Sequence, residues 1–600
     1  MSWLRFNLRY QCFESKFALL LTLMVGSWLV SDSFAQFNHT YPRSSVQHFG
    51  SAPADWYARF DLNIVVWTNA SKVREIKRIN PQSTVIWVDG WTSYGANNPF
   101  HKYIPKDWFV QGSDGQELKL NWGSLLDMST LCKPVNGQRY IDGHPKYLVS
   151  QIDITAFDGV GSDWCWGRPH NTTDIDLDRN GRNDYEEHGK AWIDSEWQKG
   201  VGVFIDNLRA EIGPNKLIWI NSGQFHEWGW NNTNGVQIER QSGFTNWDFY
   251  IRQLQNFMQN ARQPHVLMLD VRPHGGDNNR PTNTKDYFQL ARFMLTAAML
   301  GDAYMDFSPV EAGEHFFQVY FDEFDLDVGY PKGPFQVMSN GCYVRFFDKG
   351  VSIVNPSNRS VTVTDGDLRA ISGYAGPYYK FRGGQDPVFN SGGVFTQVNL
   401  WGGSEQTNSG PLLLGDGIIL LTEPKTVVSD ILIDNEILST SPGSQPATFT
   451  SLWKQSIEGD LYYSQKERPS EGWYAHAYVD GGNGGEKATY TPSIGTAGFY
   501  EVYEWHGYLN KAQSATNVPY TITYGNGQQV TKVVNQAINQ GQWNSLGRYS
   551  FPAGRTAKVV ISDQANGIVV ADMIQFRYRG QDGTVDVQPP ATPTGLRVDR

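Results

Sequence analysis

Two acids in this sequence end apolar runs. FDGVGSDWCW, from Phe157 to Trp166, carries Asp163 after Val160, Gly161 and Ser162, and GVQIE carries Glu239 some 76 residues later. Each run predicts a short buried strand that delivers a carboxylate to its C-terminal edge. Two such strands in one parallel barrel turn their acids toward the same mouth. Paired carboxylates flanking a bond suit glycoside hydrolysis, where one protonates the leaving oxygen and the other attacks or activates water. Either acid alone would be an ordinary strand end. Together they are the candidate catalytic pair. Glu239 follows apolar Val236 and Ile238, a setting that suits a proton donor, whereas Asp163, between Ser162 and Trp164, suits a nucleophile or base.

A second constellation lies between the Asp163 strand and the next helix. In DLDRNGRNDYEE, positions 1, 3, 5, 9 and 12 are Asp176, Asp178, Asn180, Asp184 and Glu187. Gly181 holds position 6, and Arg182 at position 7 offers its carbonyl. This satisfies the twelve-residue calcium-loop pattern throughout, so Ca2+ is the expected cofactor. Only one such loop is present, and the turn-like Asn171-Thr172-Thr173 stands where a preceding helix would be. A structural clip is expected rather than a sensor.

Other strand ends add Trp67, Asp89, Asn221, Asp270, Arg272 and Asp306. Of these, Trp67, Asp89, Asn221, Asp270 and Arg272 are candidate substrate contacts. Fourteen of the 21 tryptophans fall between Trp56 and Trp247. Trp91, Trp164, Trp166, Trp228 and Trp230 follow strands in loops, where an indole face could stack on a sugar ring. Asp158 is different, because five residues of strand span about 16 Å and separate it from Asp163. It is read as structural.

The elements that must position these residues alternate between strand-like and helix-like. Leu62–Thr68 reads as the first strand, with a short helix capped by Ser71, and Thr84–Gly90 as the second. The third is placed within Leu118–Met128, and Phe157–Asp163 is the fourth. Then come a helix over Lys190–Ile212, strands Leu217–Asn221 and Gly235–Glu239, and a helix over Asn246–Ala261. Strand His265–Val271, a helix over Lys285–Leu300 and strand Ala303–Phe307 complete the series. Strands this apolar imply burial on both faces and a parallel sheet, closed as a (β/α)8 TIM barrel.

Composition narrows the class. The 600 residues are 18% charged and 14% aromatic, with 60 glycines, and exceed what one core can organise. A net charge of -11 argues against nucleic acid as a partner. Arg5, Arg9 and Lys16, the apolar run Phe17–Val30 and Ser33-Phe34-Ala35 predict a signal peptide cleaved after Ala35. No later run is long enough for a membrane span, so a secreted, periplasmic or cell-surface location follows. Cys12 leaves with the signal; Cys132, Cys165 and Cys342 remain and allow at most one disulfide. No Cys/His spacing resembles a zinc site.

YARFDLNIV, IKRINPQSTVIW, FDGVGSDW, NGVQIE and FDEFDLDVGYPKG resemble the hypothetical glycosyl hydrolases of secreted bacterial barrels, in particular the family labelled 15, over about residues 41 to 365. The resemblance implies a TIM barrel, glycosidase chemistry, and acids after strands 4 and 6, matching Asp163 and Glu239. Where such relatives often carry an apolar residue before the strand-4 acid, this chain has Gly161-Ser162.

Beyond Phe335 the helical pattern gives way to short alternating strands. Segments such as ILIDNEI, VPYTITYGNGQQVTKVVNQ and NGIVVADMIQFRY resemble the golvesin C-terminal-like domain, a β-sandwich appended to secreted bacterial enzymes. The tail GTVDVQPPATPTGLRVDR is similar to a linker and the first strand of a fibronectin type III domain; either the natural chain continues or the tail is disordered.

The expected organisation is a signal peptide at 1–35, the barrel at 36–333 with its calcium loop at 174–187, a β-rich domain at 334–428, all-β sandwich 429–579, and the linker and strand at 580–600. The leading expectation is a glycoside hydrolase acting on a polysaccharide or oligosaccharide, with the C-terminal domains as contacts for cell-surface glycan or as spacers. The alternatives are a non-catalytic glycan-binding or adhesive protein and, ranked below both, a calcium-dependent lyase.

Overall fold

The computed structural model describes residues 37–581 apart from 38, 49–53, 96–102, 121–122, 171, 223–230, 242, 273–283, 309–319, 384–385, 387, 408–409, 435–443, 456–476, 508–512 and 541–542. The signal peptide with its cleavage site after Ala35, Trp228, Trp230 and residues 582–600 of the tail lie outside the described residues.

Eight parallel strands build the first half: β1 (Ser45–His48), β2 (Leu62–Val65), β3 (Thr84–Gly90), β4 (Gly159–Asp163), β5 (Leu217–Asn221), β6 (Gly235–Gln241), β7 (Leu267–Val271) and β8 (Ala303–Phe307). Each pairs with the next in chain order, and a parallel bridge from Ser44 to Met305 returns β8 to β1. Outside stand α1 (Ala70–Ile79), α2 (Tyr140–Ser150), α3 (Lys190–Ile212), α4 (Trp247–Asn260) and α5 (Thr284–Ala298). The expected (β/α)8 barrel is therefore present, with antiparallel β sheets following it.

Two element assignments differ from the sequence reading. The first strand is Ser45–His48, ahead of Leu62, and Leu118–Met128 supplies only Ser124–Leu125, paired with Ser93–Tyr94 in a small hairpin outside the barrel. The cap of α1 is Asn69 rather than Ser71, its side-chain oxygen accepting from Lys72 N at 3.1 Å. Asp163 nonetheless ends strand 4, and Glu239 lies on strand 6.

Strand alternation divides the barrel between two cores. Ile64, Ile86, Val88, Leu217, Trp219, Met268 and Tyr304 form one buried cluster, which fills the interior. Val85, Trp87, Val160, Ile218 and Leu269 join the helices in another. A Cβ on Gly161 would stand 2.9 Å from the Trp219 ring and 3.1 Å from Val88. Trp219 thus fills the interior at this level, and no side chain fits at position 161 without a shift of its neighbours.

The sheet containing β9 (Tyr343–Phe347), β10 (Gly350–Asn355) and β11 (Asp416–Leu421) is apolar on both faces. Val344, Phe346, Ile353 and Leu420 face a core of their own, while Phe347, Val354, Ile419 and Leu421 join the barrel's helical layer. Arg292 of α5 fixes the join through Asp416 at 3.1 Å and Asp386 at 2.6 Å.

The last part of the described chain is a β-sandwich. One sheet orders Ile431–Ile433, Met573–Tyr578, Gly498–Trp505 and Trp543–Phe551, and a five-stranded sheet faces it across a shared core. It clasps the first loop of the barrel. Tyr503 donates to Asp55 at 2.7 Å, Arg577 lies 3.4 Å from the same oxygen, and Arg59 donates to Asp430 at 2.5 Å. Trp56 packs against a cluster of Tyr503, Trp505, Trp543 and Met573.

Inside this sandwich His506 Nδ1 faces the Glu504 carboxylate at 2.9 Å and Nε2 faces the Ile538 carbonyl at 3.1 Å. Both partners are acceptors, so the ring fits the site as an imidazolium. Burial opposes that charge, but Glu504 and the Ile538 carbonyl outweigh it and hold His506 above the ordinary imidazole range. A raised folded value means the pair contributes fully below the unfolded value near 6.5, and its contribution fades as pH rises through the folded value. The melting temperature is expected to fall as pH rises above neutrality, and His506→Gln to flatten that slope. Equal slopes in parent and variant would remove His506 from the account.

Among the described residues no helix is long and apolar enough to cross a membrane. Cys132, Cys165 and Cys342 are buried free thiols.

Candidate active site

The mouth is built by continuing the inward-facing series of each strand. Asp163 is two residues beyond Gly161, and Asn221 two beyond Trp219. Asp270 and Arg272 follow Met268 by two and four, and Asp306 follows Tyr304 by two. On β6, Val236 and Ile238 pack outward, which leaves Gln237 facing in; Glu239 lies where the pairing with β7 shifts register, and its approach to Arg272 places it. The interior therefore changes from an apolar floor to a polar layer and then to a rim of acids and amides.

At the rim, Asp163 is held from two sides. Asn221 Nδ2 donates to its Oδ1 at 2.8 Å, and the Trp164 amide donates to the same oxygen at 3.1 Å. Asn221 is buried, while Asp163 is partly open. The chain turns sharply there, Trp164 adopting a left-handed φ of 55°, and the Cys165 amide donates to the Asn221 carbonyl at 2.8 Å. Two N–H donors on one carboxylate oxygen suit the ionised form.

Glu239 sits two strands away, its side chain 19% exposed and its Oε1 3.9 Å from Arg272 Nη2. Arg272 is almost fully buried and is bound mainly by Asp270, with Nη2 at 2.5 Å and Nε at 3.2 Å. Asp270 also accepts from Gln237 Nε2 at 2.9 Å. Beside it, in register on β8, Asp306 accepts from the Gln47 amide at 3.1 Å. Burial, and next the charge of Asp270, push Asp306 well above the usual carboxylate range. The polar layer thus sets one ionic pair beside a second acid whose burial and like-charged neighbour disfavour its ionised form. Gln47 and Gln237 were missed as site residues, and Asp306 was named as a strand end without a role. The outward packing of Val236 is the signal that would have turned Gln237 inward.

The other candidates separate. Trp164 and Trp166 stack with ring centroids 5.5 Å apart, and His170 meets both edge-on at 4.6 Å. Both indoles keep partial exposure beside Asp163. Trp91 is fully buried against Phe204 in the helical layer, which corrects its assignment as a sugar-stacking residue. Asp89 belongs to the outward series of β3 and accepts from Tyr94 at 2.7 Å, so its position is behind the mouth. Trp67 packs edge-on against Tyr57, half-buried. Asp158 serves the start of β4, accepting from Val85 N at 2.7 Å and pairing with Lys77 at 2.6 Å.

In the 12-residue loop, Asp176 is buried and accepts from the amides of Asn180 at 3.0 Å and Gly181 at 2.8 Å. Asp178, Asp184, Glu187 and His188 bring potential ligand atoms within 4.8 Å of one another. Arg182 reaches out to Glu187 at 3.3 Å. His188 had no place in the sequence pattern, since it follows the twelfth position.

The family model of the golvesin C-terminal domain matches residues 441–578. A xanthan lyase from Bacillus sp. (strain GL1) is 28% identical over 187 residues, 30% of this chain and 18% of that protein. The aligned part thus spans about a fifth of that relative's length. Among solved structures, a Paenibacillus xanthan lyase overlaps at 21% identity, over 42% of this chain and 25% of that one, with a TM-score of 0.21. The glycoside hydrolase domain of PelA from Pseudomonas aeruginosa overlaps at 10% identity, over 47% of this chain and 98% of that one, with a TM-score of 0.31. Overlaps this loose carry no weight for the site, which rests on its own residues.

Proposed function

We propose that this protein is an exported enzyme that hydrolyses a polysaccharide, with Glu239 as proton donor and Asp163 as nucleophile or base. What supports the reading is the position of these two acids at the mouth-side ends of β6 and β4, two strands apart in one parallel barrel. Strands two apart in a sheet hold their backbones about 10 Å apart, which leaves room for a glycosidic oxygen between the two carboxyl groups. Asp270 and Arg272 support the Glu239 side, and Trp164 and Trp166 offer stacking faces beside Asp163. The resemblance of residues 41 to 365 to hypothetical glycosyl hydrolases points the same way. The golvesin-type sandwich and the xanthan lyase relative favour an extracellular glycan as the target.

Incubating the purified chain with a panel of polysaccharides, xanthan first, is expected to release reducing ends without new ultraviolet absorbance. A second reading, elimination, rests on the name of the curated relative. It predicts unsaturated ends that absorb in the ultraviolet. Binding without any cleavage across the panel would instead establish the adhesive alternative.

A further inference from the structure

We propose that the loop Asp176–Glu187 binds one Ca2+ and so fixes the β4–α3 connection that follows Asp163. The ligands are the carboxylates of Asp176, Asp178, Asp184 and Glu187, the side-chain oxygen of Asn180 and the Arg182 carbonyl. His188 stays outside the ligand set.

Spacing alone would leave an acidic cluster; the state of Asp184 goes further. Its side chain is 0% exposed and its Oδ2 accepts from Leu177 N at 2.6 Å. Its Oδ1 has no hydrogen-bond partner and points into the cluster, 3.8 Å from His188 Nε2. A buried carboxylate oxygen without a donor is costly, and a cation among the acids removes that cost.

The backbone fits the same purpose. Arg179 and Gly181, positions 4 and 6, adopt left-handed φ values of 61° and 80°, which curl the chain around Asp176. The helical turn Asp184–Glu187 begins at position 9 and sets Asp184 and Glu187, two of its three acids, three residues apart on one face. Asn180 donates its Nδ2 to Asp178 and to Glu187 at 3.1 and 2.7 Å. A half-turn of that amide presents its oxygen instead, the form a cation between those acids requires.

Oxygen ligands in this number select a hard ion. Calcium takes six to eight, whereas zinc prefers about four with nitrogen or sulfur among them. The one imidazole nearby lies tilted against Trp192 with ring centroids 4.2 Å apart, and its Nε2 is 3.6 to 3.9 Å from three acids. The loop is tied to the segment between β3 and α2 through Arg179, which donates to the Phe109 carbonyl at 2.6 Å. The Asp176 amide adds a bond to the Gln111 carbonyl at 2.9 Å.

The test uses the full chain stripped with a chelator. Terbium titration with tryptophan excitation should give saturable sensitised emission, Trp192 being the near donor, and Ca2+ should displace it. Asp184→Asn and Glu187→Gln are expected to weaken Ca2+ binding by about tenfold or more, while His188→Gln changes it by less than about threefold. Should Asp184→Asn fail to fold, Glu187→Gln decides, since that side chain is 28% exposed. No saturable emission overturns the proposal. So does thermal stabilisation by Zn2+ and not Ca2+, lost in His188→Gln.

Discussion

Asp163→Asn and Glu239→Gln are each expected to lower turnover by about a hundredfold or more, the scale of lost proton transfer or nucleophilic help. Both changes keep shape and remove charge. The asparagine retains an oxygen for the Asn221 and Trp164 donors, which hold Asp163 at 2.8 and 3.1 Å. The glutamine leaves Arg272 bound to Asp270 as before. Far-ultraviolet dichroism and melting should therefore match the parent, so a lost rate reads as lost chemistry. Glu239→Gln should recover partly on substrates with a good leaving group, because these need less protonation; Asp163→Asn should not. Near-parental turnover by either variant on a confirmed substrate would remove that residue from the pair and make Asp270 the next acid to test.

Arg272→Met is expected to destabilise the barrel by about 3–5 kcal/mol, the cost of leaving a buried partner charge unmatched. Arg272 and Asp270 both have side chains only 1% exposed, and their closest contact is 2.5 Å. Without the guanidinium, Asp270 keeps Gln237 alone, beside the acid Asp306. Adding Asp270→Leu should restore most of the loss, since an apolar pair can replace a buried ionic one at little cost. Denaturant titration of the three proteins measures this. If Arg272→Met leaves the midpoint unchanged, the pair is not holding the mouth together.

Sequence and structure agree where burial leaves a pattern. Strands β2, β3, β5, β7 and β8 are apolar runs because both faces are covered, and α3 was legible to its ends. Strand β1 was not legible: SVQH has no apolar alternation, since Gln47 faces the polar interior layer and only Val46 joins the helical core. Leu118–Met128 looked strand-like for the opposite reason, its leucines being apolar because Leu125 and Leu126 pack beneath the loops outside the barrel. Strand ends could be named, but not the faces they serve. Trp91 and Asp89 both follow the Thr84–Val88 run, yet parity sends Asp89 behind the mouth and Trp91 into the helices. The calcium pattern was readable because it fixes ligands by count along one loop. Its neighbour His188 and the unpartnered oxygen of Asp184 depend on how the loop curls.

The clasp between the sandwich and the first barrel loop bears on the order in which the protein assembles. Asp55 and Arg577 are 522 residues apart in sequence. At about 5–20 residues per second, synthesis reaches Arg577 roughly 26 to 104 s after Asp55. The barrel's own closure, Ser44 against Met305, becomes available earlier, and the loop at 54–59 then waits with Trp56 open on its sandwich side and with Asp55 and Arg59 lacking their sandwich partners, although Arg59 already rests on the Tyr320 ring. Contacts between such distant segments are slow to find because the loop-closure entropy comes before any reward. For that interval Trp56 is a surface on which a folding helper, or a second nascent chain, can act.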